Sequence, residues 1–164
     1  MFDDLLEANV RYAEGFSLAG IPAVAGRQFA LVTCMDSRIE PLAMLGLVPG
    51  DAKILRNAGA RITGDVLRSL VLAATFLDVR RIAVMQHTDC ALAGRSDDEL
   101  RAGLRAGGAE VGDGWEVLAM PDPDAALRAD VETVRSCALL PRGVRVEGWR
   151  YQVDSGRVLR VVPS

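Results

Sequence analysis

Histidine, lysine and cysteine are the scarce residues of this chain: His87 and Lys53 are each the only one of their kind, and cysteine occurs only at Cys34, Cys90 and Cys137. An odd cysteine count disfavours a disulfide framework and leaves metal binding, catalysis or plain burial as uses. With a single lysine, basic charge rests on scattered arginines that aspartate and glutamate outweigh, giving a net charge of −3. That balance argues against a nucleic-acid surface. No apolar run approaches the roughly 20 residues of a membrane span. The opening MFDDLLEANV is acidic where a signal peptide is basic, and no small-residue cleavage site follows an apolar stretch. The expectation is an unsecreted, cytoplasmic protein without a membrane partner. Gly-x-Gly-x-x-Gly and Walker loops are also missing, so nucleotide binding has no positive support.

What is present is ordinary globular composition, half apolar and a quarter charged over 164 residues, which suits one domain spanning residues 1–164. Residues 3–18 read as a helix with Leu5, Leu6, Val10, Ala13 and Phe16 on one face and acids in its first turn. Four short apolar runs read as buried strands: 29–33, 52–56, 81–85 and 116–120. Helix-length patterns at 65–77, 97–105 and 124–137 lie among them. This alternation predicts an α/β fold with a central, mostly parallel sheet flanked by helices. The tail, 144–153 and 157–162 around Asp154-Ser-Gly156, predicts an antiparallel hairpin at the sheet edge.

Three of the strand ends carry unusual residues: Cys34-Met-Asp36-Ser-Arg38, Asn57-Ala-Gly59 and His87-Thr-Asp-Cys90. In open parallel sheets the ligand crevice lies outside the carboxyl ends of the strands. If the first and third strands are neighbours, Cys34, His87 and Cys90 meet there. Two thiolates and an imidazole suit Zn²⁺, and three protein ligands leave a fourth position open, as a catalytic zinc site requires. Taken singly, each of these residues is as well explained by burial. Their convergence on strand ends favours chemistry, whereas Cys137 reads as a core thiol. Asp36 could ligate the metal or accept a hydrogen bond from a water beside it, and Arg38 could hold it for the second role. A cysteine-phosphatase loop fits poorly, because it wants five residues between Cys and Arg, where Cys34 reaches Arg38 across three.

In order and spacing, Cys34-Met-Asp-Ser-Arg38, Arg56-Asn-Ala-Gly59 and His87-Thr-Asp-Cys90 resemble the Cys-x-Asp-x-Arg, Arg-Asn-x-Gly and His-x-x-Cys elements of β-class carbonic anhydrases, the short bacterial members above all. The resemblance extends through the helix at 65–77 and the closing hairpin. It implies Cys34, His87 and Cys90 as Zn²⁺ ligands and Asp36 and Arg38 as a catalytic dyad, with Asp36 a fourth ligand in a closed state. Asn57 and Gly59 are expected at the substrate pocket. The implied activity is zinc-dependent, reversible hydration of carbon dioxide to bicarbonate and a proton. The alternatives are the same scaffold acting on carbonyl sulfide or carbon disulfide, or a zinc-binding homologue with little catalysis. A homodimer or higher homo-oligomer is implied too, with the amino-terminal helix packing on the partner subunit. One departure is Ala91, where the family usually has glycine after the last ligand. The only imidazole is committed to the metal, so a carboxylate such as Asp89, water or buffer must carry the proton away.

Overall fold

The computed structural model describes residues 2–164. Strand β1 (Phe29–Cys34) is buried along its whole length, which explains its unbroken apolar run. It pairs in parallel with β2 (Ala52–Asn57) on one side and β3 (Arg81–His87) on the other. Strand β4 (Arg145–Tyr151) adds in parallel to β3, and β5 (Val158–Val162) closes the sheet antiparallel to β4. The order is therefore β2-β1-β3-β4-β5. The tail forms the expected edge hairpin, with the difference that its first strand runs parallel to the sheet and only β5 opposes it.

Four helices accompany the sheet: α1 (Asp3–Glu14), α2 (Gly64–Phe76), α3 (Asp97–Ala106) and α4 (Pro123–Arg135). Local chemistry sets their starts. Thr63 accepts a hydrogen bond from the Val66 amide, Ser96 and Glu99 form a capping box, and Asp122 caps α4 just before Pro123. Helices α2 and α4 bury Val66, Leu70, Ala73, Leu127, Val131 and Val134 against Ala30, Val32, Ile82, Val84 and Val146 on one face of the sheet. The opposite face packs Phe29, Leu31, Ala83 and Met85 against loop residues, Ile39 and Met120 among them. Helix α1 is shorter than its sequence pattern, stopping at Glu14 before Gly15, and it buries none of its residues. No helix among the described residues is long and apolar enough to cross a membrane.

The apolar run at 116–120 is not a strand. Among the described residues its only ladder contact is an isolated bridge from Met120 to Ala93. Asp97 explains this, since its carboxylate accepts from the amides of Val117 and Ala119 at 3.1 and 2.8 Å. Leu118 between them takes a left-handed φ of 61°, which breaks extension.

Strand order reverses between β1 and β3, because the chain leaves β1 for β2 on one side and returns to β3 on the other. The carboxyl ends of those two strands therefore border the crevice. Gly148 on β4 marks close packing within the sheet, where a Cβ would lie 2.9 Å from Val162 Cγ2 and 3.0 Å from Val131 Cγ2. Gly148→Ala is expected to destabilise the fold by about 1–3 kcal/mol through overpacking. The check is a lower urea midpoint at unchanged slope, and an unaltered midpoint would contradict this packing.

Candidate metal centre

Cys34 is the last residue of β1, His87 the last of β3, and Cys90 lies in the turn just beyond. All three are buried, and one ligand atom from each lies within 4.8 Å of the others. Neighbouring strands bring together residues that are 53 positions apart in the chain from Cys34 to His87.

The imidazole is oriented before any metal arrives. Nδ1 of His87 donates to the Thr88 carbonyl at 2.8 Å, which leaves Nε2 as the nitrogen facing the cluster. That Nε2 is buried and has no hydrogen-bond partner. An orphaned, buried ring nitrogen is costly unless something coordinates it. Two sulfurs and this nitrogen form a borderline-soft donor set that fits a tetrahedral zinc ion with one position left over.

Electrostatics divide the two thiols. Hydrogen bonding from the Cys90 thiol lowers the Cys34 pKa to about 4, against the opposing effect of burial and with help from His87 and the Gly59 amide. Cys90, as that donor and in a desolvated position, is pushed up. Burial works against a charged His87, but Cys34, the Thr88 carbonyl and Asp36 together outweigh it and hold the imidazole pKa above its usual value. A metal taking all three ligands displaces the protons they carry.

Asp36 and Arg38 form a fork-to-fork pair. Arg38 Nε and Nη2 donate to Asp36 Oδ1 and Oδ2 at 3.0 and 2.7 Å, and the Arg38 amide adds a bond to Oδ1 at 2.9 Å. The guanidinium holds the Asp36 carboxyl well below the usual carboxylate range and is itself held further up. Asp36 Oδ2 lies 3.8 Å from His87 Nε2, so an ionised acid borders the cluster. The other side of Arg38 binds Asp89, Nη1 to Oδ2 at 2.7 Å, where the Asp89 side chain is 76% exposed.

Asn57 and Gly59 stand at the same edge. The Gly59 amide donates to Cys34 Sγ at 3.4 Å from a left-handed backbone with φ 73°, a conformation that suits glycine. Asn57 Nδ2 donates to the Arg61 carbonyl at 2.7 Å, while its Oδ1 is buried without a partner. Cys137 stays apart from the cluster and is half-buried beside Leu67, Val71, Leu72 and Leu139, so it lines a groove instead of the core. Ala91 is exposed and is not among the residues with positive φ; its methyl group crowds nothing in the core. Two cavities of about 260 and 310 Å³, floored by Phe29 and Trp149, lie at the amino ends of the strands, away from the thiols.

Arg61 and Asp130 escaped the sequence reading, and Arg56 entered it as part of a motif without a role. Arg56 donates to the carbonyls of Cys34 and Asp36 at 3.1 and 2.6 Å, pinning the loop that carries the thiolate and the acid. Arg61 and Asp130 form an ion pair in which the acid side chain is only 6% exposed. An acid among Leu127, Val131 and Val134 at core positions of a helical pattern was the available signal.

The carbonic anhydrase family profile matches residues 29–103. The chain is 31% identical over 163 residues to beta-carbonic anhydrase 1 of Mycobacterium tuberculosis, covering 98% of each. It is 28% identical to a carbon disulfide hydrolase of an Acidianus species, covering 96% of this chain and 89% of the relative. The crystal structure of a carbonic anhydrase from Streptococcus mutans superposes with a TM-score of 0.89 at 38% identity, covering 98% of this chain and 96% of that one. End-to-end likeness of this extent makes the chain a member of the β-carbonic anhydrase family.

Proposed function

We propose that the protein catalyses the reversible hydration of carbon dioxide to bicarbonate and a proton, with Zn²⁺ held by Cys34, His87 and Cys90. The observation that carries this reading is the buried cluster whose His87 Nε2 has no protein partner. When bound, Zn²⁺ supplies a Lewis acid that brings the pKa of water close to neutrality. Asp36 accepts a hydrogen bond from the reacting water and so aims its lone pair at the carbon. Arg38 keeps Asp36 ionised and, by occupying both carboxylate oxygens, favours this dyad role over that of fourth ligand. Asn57 Oδ1 is free to accept a hydrogen bond on the substrate side, and Gly59 supports the Cys34 sulfur. Asp89, exposed and bound to Arg38, passes the proton to solvent. A reducing compartment such as the cytoplasm keeps both thiols available.

A second reading, hydrolysis of carbon disulfide or carbonyl sulfide, is supported by the likeness to the Acidianus hydrolase. Linear triatomic substrates make the same demands on the site, so steady-state rates with all three decide between them.

We also propose that the protein is a homodimer or higher homo-oligomer. Leu5, Leu6 and Val10 on α1 are 64%, 65% and 61% exposed, and a lone 12-residue helix is marginal in water.

Metal content by mass spectrometry on the same preparation used for stopped-flow hydration tests the principal reading. Cys34→Ser is expected to lose both zinc and activity, and full zinc retention would remove Cys34 from the ligand set. Arg38→Ala is expected to keep its zinc while hydration falls by about 10²–10⁴-fold; an active variant with an unchanged pH profile would leave the dyad without support. Turnover of the zinc-loaded protein should rise with buffer concentration, since no second imidazole can carry the proton. A rate indifferent to buffer would refute that route. For the assembly, Leu6→Asp is expected to shift sedimentation toward the monomer, and a monomeric parent protein would overturn the oligomer.

A further inference from the structure

We infer that the buried Arg61–Asp130 pair is a positioning element that sets the spacing of the two thiols, and through it the affinity for metal. The inference rests on the metal-binding role proposed above. Arg61 Nε and Nη2 donate to the two carboxylate oxygens of Asp130 at 2.7 and 3.4 Å, and Nη1 donates to the carbonyls of Leu118 and Ala119 at 2.7 and 3.3 Å. The Ile62 amide adds a bond to Asp130 Oδ1 at 3.3 Å. One guanidinium thus joins α4, the segment at 118–119 and the turn after β2.

Each of the last two leads to a different thiol. Gly59 and Ala60, directly before Arg61, both take left-handed backbone, with φ of 73° and 59°. Such conformations persist when the surroundings over-determine them. The Gly59 amide that reaches Cys34 Sγ is aimed by this turn. Beyond Ala119, Met120 donates its amide to the Leu92 carbonyl at 2.9 Å and accepts from the Gly94 amide at 2.8 Å, and Ala93 donates to the Cys90 carbonyl at 3.0 Å. The Cys90 turn therefore leans on the segment that Arg61 holds. The two sides also touch, since a Cβ on Gly59 would lie 3.2 Å from Leu92 Cδ2 and 3.3 Å from Met120 Cε. Neither Arg61 nor Asp130 touches the cluster, so both act through the groups they hold. Truncating such outer supports typically weakens metal binding by about 10–100-fold.

Co²⁺ serves as the probe, because its visible bands and thiolate charge-transfer bands report ligand geometry without turnover. Zn²⁺ affinity by chelator competition and Co²⁺ spectra would be measured for the parent protein, Asp130→Asn, Arg61→Lys and the double variant Arg61→Gln with Asp130→Asn. The double variant removes the pair without leaving a buried charge alone. Arg61→Lys keeps a cation beside Asp130 but gives up the planar fork. The expected result is a native circular-dichroism spectrum for the double variant and Arg61→Lys, weaker Zn²⁺ binding in both, and altered cobalt bands. Parent-like affinity and spectra in a folded double variant would overturn the inference. Failure of every variant to fold would also overturn it, by assigning the pair to fold stability alone. A parent protein that binds metal but does not hydrate carbon dioxide would sink the proposed activity and leave this inference standing; one that binds no metal would end both.

Discussion

Thr33 lies opposite Met85 across the parallel ladder of β1 and β3, and this one register brings Cys34 and His87 out at the same edge of the sheet. Parallel pairing places both carboxyl ends on one side, whereas an antiparallel pair would send them to opposite ends. The reversal of strand order at this pair leaves the edge open as a crevice. The candidate metal centre is gathered there: Cys34, Cys90, the imidazole, the Asp36–Arg38 fork and the amide of Gly59. The central position of β1, with a partner on each flank and helices over one face, makes that register costly to shift.

Around this edge, arginine does the work of fastening. Arg38 holds a carboxylate, Arg56 holds two carbonyls of the Cys34 loop, and Arg61 holds an acid together with two carbonyls of a neighbouring segment. The rigid, multi-donor guanidinium suits all three tasks in a way that an ammonium group does not. Cys90, Asp36 and Arg38 lie beyond the strand ends, and backbone in loops has few ladder bonds to fix it. Arginine forks replace those missing bonds.

The uneven cover of the sheet has its own consequence. Helices α2 and α4 seal one face with aliphatic side chains, while the face under Phe29, Leu31 and Met85 is roofed mainly by loops. Helix α1 carries a large share of the exposed apolar side chains and buries none of its own residues.

Much of this was legible from residue order. The strands at 29–34 and 81–87 announce themselves as short apolar runs, because strands buried on both faces need few polar positions, whereas β2, expected to be buried, lies at the sheet edge and is only half-buried. The scarcity of histidine and cysteine, combined with their place at strand ends, singled out Cys34, His87 and Cys90. The run at 116–120 misled for an instructive reason. Its apolar pattern is that of a strand, but Asp97 and Arg61 take up the hydrogen bonds that a ladder would have used. Likewise 144–153 read as half of an antiparallel hairpin at the sheet edge, and β3 supplied β4 with a parallel neighbour. By itself the sequence determined the elements and the chemical inventory, since periodicity and residue type act over a few positions. Only the tertiary structure decided which loops Arg61 and Asp130 join and which nitrogen of His87 is left free, because those outcomes depend on partners far away in the chain.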